Sequence, residues 1–109
     1  MLILLGKNDD IAEYIKTHFS DIDEGNDVVY YPSVTAHISE FGDYIQKAVE
    51  ENPPIIVTQS LELLDLFLQS DLNFDVITVR RYDSKIVSAI RDKSYAKHLR
   101  DQFDMDLRW

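Results

Sequence analysis

The sequence predicts a single α/β domain over residues 1–109: a mainly parallel sheet of about five strands, helices on both faces and an antiparallel hairpin at one edge. Three observations predict it. Short apolar runs rich in Val, Ile and Leu alternate with segments whose apolar residues recur at helical spacing, which is the pattern of units that build parallel sheets. Near the end, two strand-like runs flank Tyr82-Asp83-Ser84-Lys85, a polar centre suited to a hairpin turn. The length, with 45% hydrophobic residues, allows one modest core and is too short for two.

Met1 to Leu5 is continuously apolar and reads as a buried strand, stopped by Gly6 where the backbone must turn sharply. Asp9 or Asp10 is expected to cap the next helix, in which Ile11, Tyr14, Ile15 and His18 or Phe19 repeat at helical spacing. Ser20 to Asp27, rich in acids and amides, is a solvated connection. Val28 to Tyr31 is the second strand, closed by Pro32, which cannot donate to a ladder. From about Thr35 to Glu51 a longer helix follows, its face marked by Ile38, Phe41, Tyr44 or Ile45, and Ala48 or Val49, and Asn52-Pro53-Pro54 ends it.

Ile55 to Thr58 is the third strand, and Ser60 stands ready to cap a helix from Leu61 to Leu68. Phe74 to Arg81 alternates as a strand, with Val76, Thr78 and Arg80 on one face and Ile77, Val79 and Arg81 on the other. Ile86 to Ile90 returns antiparallel after the turn, and Lys93 to Phe103 carries Tyr95, Leu99 and Phe103 four apart in a last helix. Met105 to Trp109 is a tail that either docks or frays.

Charge and composition exclude several function classes. Twenty acidic residues against eleven basic ones give a net charge of -9, which opposes binding to phosphate backbones and anionic lipid, so nucleic acid is an unfavourable partner for the isolated domain. Without cysteine there is no disulfide, thiolate metal site or thiol catalysis, which fits a reducing, cytoplasmic setting. Leu2 to Leu5 is too short for a signal sequence and no run approaches a membrane span, so no membrane association is expected. Seven of the eleven basic residues, Arg80, Arg81, Lys85, Arg91, Lys93, Lys97 and Arg100, cluster between positions 80 and 100 in the last third. That dipole suits an acidic partner or a head-to-tail contact with another copy; the alternative is a solvated hairpin face.

Three strand-to-helix junctions resemble those of a P-loop ATPase, in particular the ABC-type ATPases of the RecF and SMC-like group. Leu2-Ile3-Leu4-Leu5-Gly6-Lys7-Asn8 resembles the strand and first residues of that family's phosphate loop. Asp27 to Tyr31 resembles the apolar strand before its Asp-Glu pair. Ile55 to Asp65 is similar to its switch segment, usually Thr-His-Ser followed by a residue and Glu-Leu-Leu, and is the most specific of the three. The resemblance implies a sheet order. The first strand should lie beside Ile55 to Thr58, with Val28 to Tyr31 beyond, Phe74 to Arg81 on its other side, and the return strand at the edge.

The family's functional positions do not carry over. Aligning Gly6 with the loop's first Gly puts Ile11 at the second Gly, Ala12 at the phosphate-binding Lys and Glu13 at the Mg²⁺-binding hydroxyl. Pro32 and Ser33 stand at the metal-binding Asp and catalytic Glu, and Gln59 at the switch His, where it can hydrogen-bond but not titrate. What is left is a set of remnant loop positions, Gly6, Lys7, Asn8, Asp9 and Asp10, and remnant switch positions, Thr58, Gln59 and Ser60. No cofactor and no resident metal are expected.

Other candidates have plainer readings beside them. Asp9 and Asp10 resemble the paired Mg²⁺-binding acids of receiver domains, but the third strand ends in Thr58-Gln59 where a receiver needs an Asp; helix capping is the alternative. His37 and Ser33 lie near each other in sequence, without the Gly-x-Ser-x-Gly elbow that exposes a nucleophile. Arg80, Arg81, Tyr82 and Trp109 are candidate interaction residues. The sequence therefore points to a non-catalytic ATPase-like domain acting as a protein interaction or regulatory module. Two alternatives stand beside it: a nucleotide-binding or ATPase subunit completed by a partner, and a receiver-like signalling domain with the first strand between the second and third.

Overall fold

The computed structural model describes residues 1–19, 21–23, 25–31 and 38–103. Along the chain these form β1 (Leu2–Leu5), α1 (Asn8–His18), β2 (Val28–Tyr30), α2 (Ile38–Glu51), β3 (Ile55–Thr58), α3 (Leu61–Gln69), β4 (Asp75–Tyr82), β5 (Lys85–Asp92) and α4 (Lys93–Phe103). The strands make one five-stranded sheet in the order β2-β3-β1-β4-β5. All neighbours are parallel except β4 and β5, which form an antiparallel hairpin at one edge. This is the order implied by the P-loop resemblance. It is not the receiver-like order, because β1 lies between β3 and β4 and does not touch β2.

The continuous apolar run of β1 is explained by its place at the centre, where both faces of a parallel sheet are covered. Leu2 stands opposite Ile55 and Asp75, and Leu5 opposite Thr58 and Thr78. On one face, Leu4, Ile55, Val57, Ile77 and Val79 pack against Ile11, Tyr14 and Ile15 of α1. On the other, Ile3, Leu5, Ile56 and Val76 pack against Ala48 of α2, the leucines and Phe67 of α3, and Ala96 and Leu99 of α4. One helix thus covers one face and three share the opposite one.

Local chemistry sets the element ends. Ser60 caps α3 as expected, its Oγ accepting the Leu63 N–H at 3.1 Å. Asn52, at φ 45°, ends α2 in the left-handed region that a helix stop requires. Asp83 and Ser84 form the two-residue hairpin turn, both at positive φ (53° and 68°), which matches a type I′ turn to the strand twist. Asp92 accepts the Tyr95 N–H at 2.7 Å at the start of α4.

Two expectations need correction, the helix cap and the hairpin's length. Neither Asp9 nor Asp10 caps α1: the cap position is Lys7, without a side-chain bond, and both acids lie in the first helical turn. The neighbours Tyr30 and Tyr31 divide by strand alternation. Tyr31 is buried, its hydroxyl donating to the Tyr44 carbonyl at 3.2 Å, while Tyr30 is exposed. The hairpin is longer than expected, running to Asp92. Thr35, His37, Ser33, Pro32 and Trp109 lie outside the described residues.

Candidate functional site

A cleft opens at the carboxyl ends of the central strands, and the topology says why. The chain leaves β1 toward α1 on one face and leaves β3 toward α3 on the other, so the two exits diverge and leave a crevice between them. β4 continues beyond β1, because Leu5 already stands opposite Thr78, and Val79, Arg80 and Arg81 wall the crevice. The resulting cavity of about 320 Å³ is lined by Leu5, Gly6, Lys7, Asp10, Gln59, Val79, Arg80 and Arg81.

Gly6 is required by a close approach. A Cβ there would sit 2.4 Å from the Val79 carbonyl oxygen and 3.3 Å from Cδ1 of Ile11, so only glycine lets the chain pass between β4 and α1. The Gly6 N–H donates to the Thr58 carbonyl at 3.1 Å, which ties the exit from β1 to the end of β3. The helix then starts at Asn8, one residue after Lys7.

Arg81 closes one side of the cleft. Its Nε donates to Oδ1 of Asp10 at 3.2 Å and its Nη2 pairs with Oε2 of Glu13, both on α1. Asp10 is buried, 8% exposed, so a carboxylate in the first helical turn is matched by a cation from a strand distant in sequence. The Glu13 hydrogen bond, with a smaller contribution from Asp10, raises the pKa of the Arg81 guanidinium and holds it firmly protonated. On the other face of β4 the Arg80 guanidinium lies over the Tyr82 ring, 5.4 Å from its centroid.

Of the remnant switch positions, only Gln59 lines the cleft. Thr58 is fully buried and its Oγ1 accepts the Ser60 N–H at 3.0 Å, while Ser60 caps α3; both hydroxyls are occupied in shaping the turn. Of the remnant loop positions, Gly6, Lys7 and Asp10 line the cleft, and Asn8 and Asp9 are exposed on the first turn of α1. Sequence reasoning grouped Arg80 and Arg81 with Tyr82 as surface contacts; the structure brings both arginines to the same cleft as Gly6, Lys7 and Gln59. The signal that could have placed them was the implied strand order, which sets the end of β4 beside the end of β1.

Chemically, the wall offers three cations, one amide and one carboxylate already paired with Arg81. It contains no hydroxyl, imidazole or thiol among the described residues. Among the described residues no group of three or more His, Asp or Glu side chains is arranged to hold a metal ion, and no helix is long and apolar enough to cross a membrane. Comparison with protein-family models, with curated proteins and with solved structures gives no significant match.

Proposed function

We propose that this domain is a non-catalytic, ATPase-like module that works through protein interaction or regulation. The observation that carries the reading is the start of α1. In the resembling ATPases four residues loop around the phosphates before the helix begins; here the aligned residues are Lys7 to Asp10, and three of them, Asn8 to Asp10, already lie in the first turn of α1. A cradle of backbone N–H groups therefore has no loop to form it. Glu13, at the position of the Mg²⁺-binding hydroxyl, is paired with Arg81, and Ala12 supplies no charge in place of the phosphate-binding lysine.

A second reading is favoured by the cleft itself. Lys7, Arg80 and Gln59 line a cavity at a helix N-terminus, and this supports a nucleotide-binding domain completed by a partner subunit. A thermal-shift titration with ATP, ADP and GTP, with and without Mg²⁺, separates the two. A ligand that binds only the folded state raises the midpoint, by the equivalent of about 2.7 kcal/mol at a hundredfold excess over its dissociation constant. An unchanged midpoint at millimolar nucleotide is the expected result. A clear rise would replace the first reading with the second.

A further inference from the structure

β5 is an open sheet edge with regular geometry. Because Asp83 and Ser84 make a two-residue turn, Tyr82 and Lys85 form the first hydrogen-bonded pair and the ladder alternates from there. Lys85, Val87, Ala89 and Arg91 therefore point their backbone groups at β4, and Thr78 Oγ1 lies 3.5 Å from the Ala89 carbonyl it donates to. Ile86, Ser88 and Ile90 turn their N–H and C=O groups outward, and among the described residues no strand pairs with them.

Natural edges are usually blunted by shortness, proline, a bulge or a central charge. The opposite edge, β2, has three residues. β5 has eight in unbroken register with β4, no Pro or Gly, and no charge from Ile86 to Ile90. Ile90 is 68% exposed on the same sheet face as the half-buried Ile86. On the other face stand Lys85 and Arg91, neither of which meets a carboxylate among the described residues; Arg91 donates only to Thr78 Oγ1, at 3.0 Å. From Arg80 to Arg100 there are seven basic and two acidic residues, in a chain of net charge -9.

We propose that the outer edge of β5 accepts an extended acidic segment of a partner protein as an added strand, with acidic side chains opposite Lys85 and Arg91 and apolar ones opposite Ile86 and Ile90. Backbone groups of Ile86, Ser88 and Ile90 supply the ladder, and the flanking cations select the charge. A second copy is a poorer occupant. Pairing about Ser88 would set Lys85 against Arg91 of the other copy, two like charges directly opposed. The purpose of the site rests on the interaction-module reading, whereas its geometry does not.

The test uses the full chain and two short synthetic peptides of alternating Thr and Val. One carries Glu at the two positions that face Lys85 and Arg91; the other carries Lys there. Binding is followed by fluorescence anisotropy and by amide hydrogen exchange. The acidic peptide is expected to bind and to slow exchange at Ile86, Ser88 and Ile90, leaving Val87 and Ala89 unchanged because β4 already protects them. Ser88→Pro removes an outward N–H that no strand of the domain uses, so the fold persists while peptide binding weakens by about tenfold or more. Lys85→Glu should weaken the acidic peptide and strengthen the basic one.

No binding at millimolar acidic peptide, binding without protection at those three amides, or unaltered binding to a folded Ser88→Pro variant would each overturn the proposal. So would protection of the three amides that grows with protein concentration before any peptide is added, which would assign the edge to a second copy. A nucleotide-induced thermal shift bears on the non-catalytic reading alone and leaves the peptide result standing.

Discussion

Arg81, near the end of β4, is ion-paired with Asp10 in the first turn of α1, Nε to Oδ1 at 3.2 Å, across 71 residues of sequence. The pair fastens the single helix of one sheet face to the strand that walls the cleft. Arg81→Met should lower the urea midpoint because it strands a buried carboxylate. Adding Asp10→Asn should recover part of the loss, and a double-mutant cycle reads the coupling. Losses from the two single substitutions that simply add in the double variant would show that the pair contributes nothing.

Gly6→Ala places a methyl group 2.4 Å from the Val79 carbonyl oxygen, so the backbone of β4 or of the turn must move. A loss of about 1–3 kcal/mol in denaturant unfolding is expected. An unchanged midpoint would mean that the turn yields without cost.

The hairpin turn invites a change in the opposite direction. Ser84 holds φ 68° with a side chain that disfavours it, and it contributes its carbonyl to Arg81 Nη1, a contact any residue can make. Ser84→Gly should therefore stabilise the domain by about 0.5–1 kcal/mol. Thermal unfolding of the two proteins decides it.

Burial, with smaller contributions from Glu51 and Tyr44, raises the pKa of the Tyr31 phenol above its ordinary 10.0. The folded state resists ionisation that the unfolded chain allows, so this contribution is intact below about pH 10 and is lost as pH rises from there through the folded value. Tyr31→Phe should cost about 1 kcal/mol at neutral pH, from the bond to the Tyr44 carbonyl, and should flatten the alkaline decline. Stability measured by denaturant across that range checks both effects.

Sheet architecture was legible because β1 and β3 are short, apolar and bounded by strong signals, and because Tyr82 to Lys85 has hairpin chemistry. The Ser60 cap was legible for the same local reason: its partner is three residues away. Asp10 was misread as a cap because an acid before an apolar helical face is the usual local sign, while its actual partner comes from β4. Tyr30 and Tyr31 could not be divided, since adjacent strand residues face opposite ways and only the register says which faces the core. The cleft was half legible: Gly6, Lys7 and Gln59 follow from the ends of β1 and β3, but Arg80 and Arg81 join them only once β4 is known to outrun β1.

The central position of β1 has a consequence for the newborn chain. Its two partners are Ile55–Thr58 and Asp75–Tyr82, so β1 is made before both of them and cannot be closed on both sides until β4 has been synthesised. Until the second half of the chain is made, Leu2 to Leu5 has no ladder to join and remains an uncovered apolar segment. Folding of this small domain is therefore a late event, gated by the synthesis of β4 and not of β1.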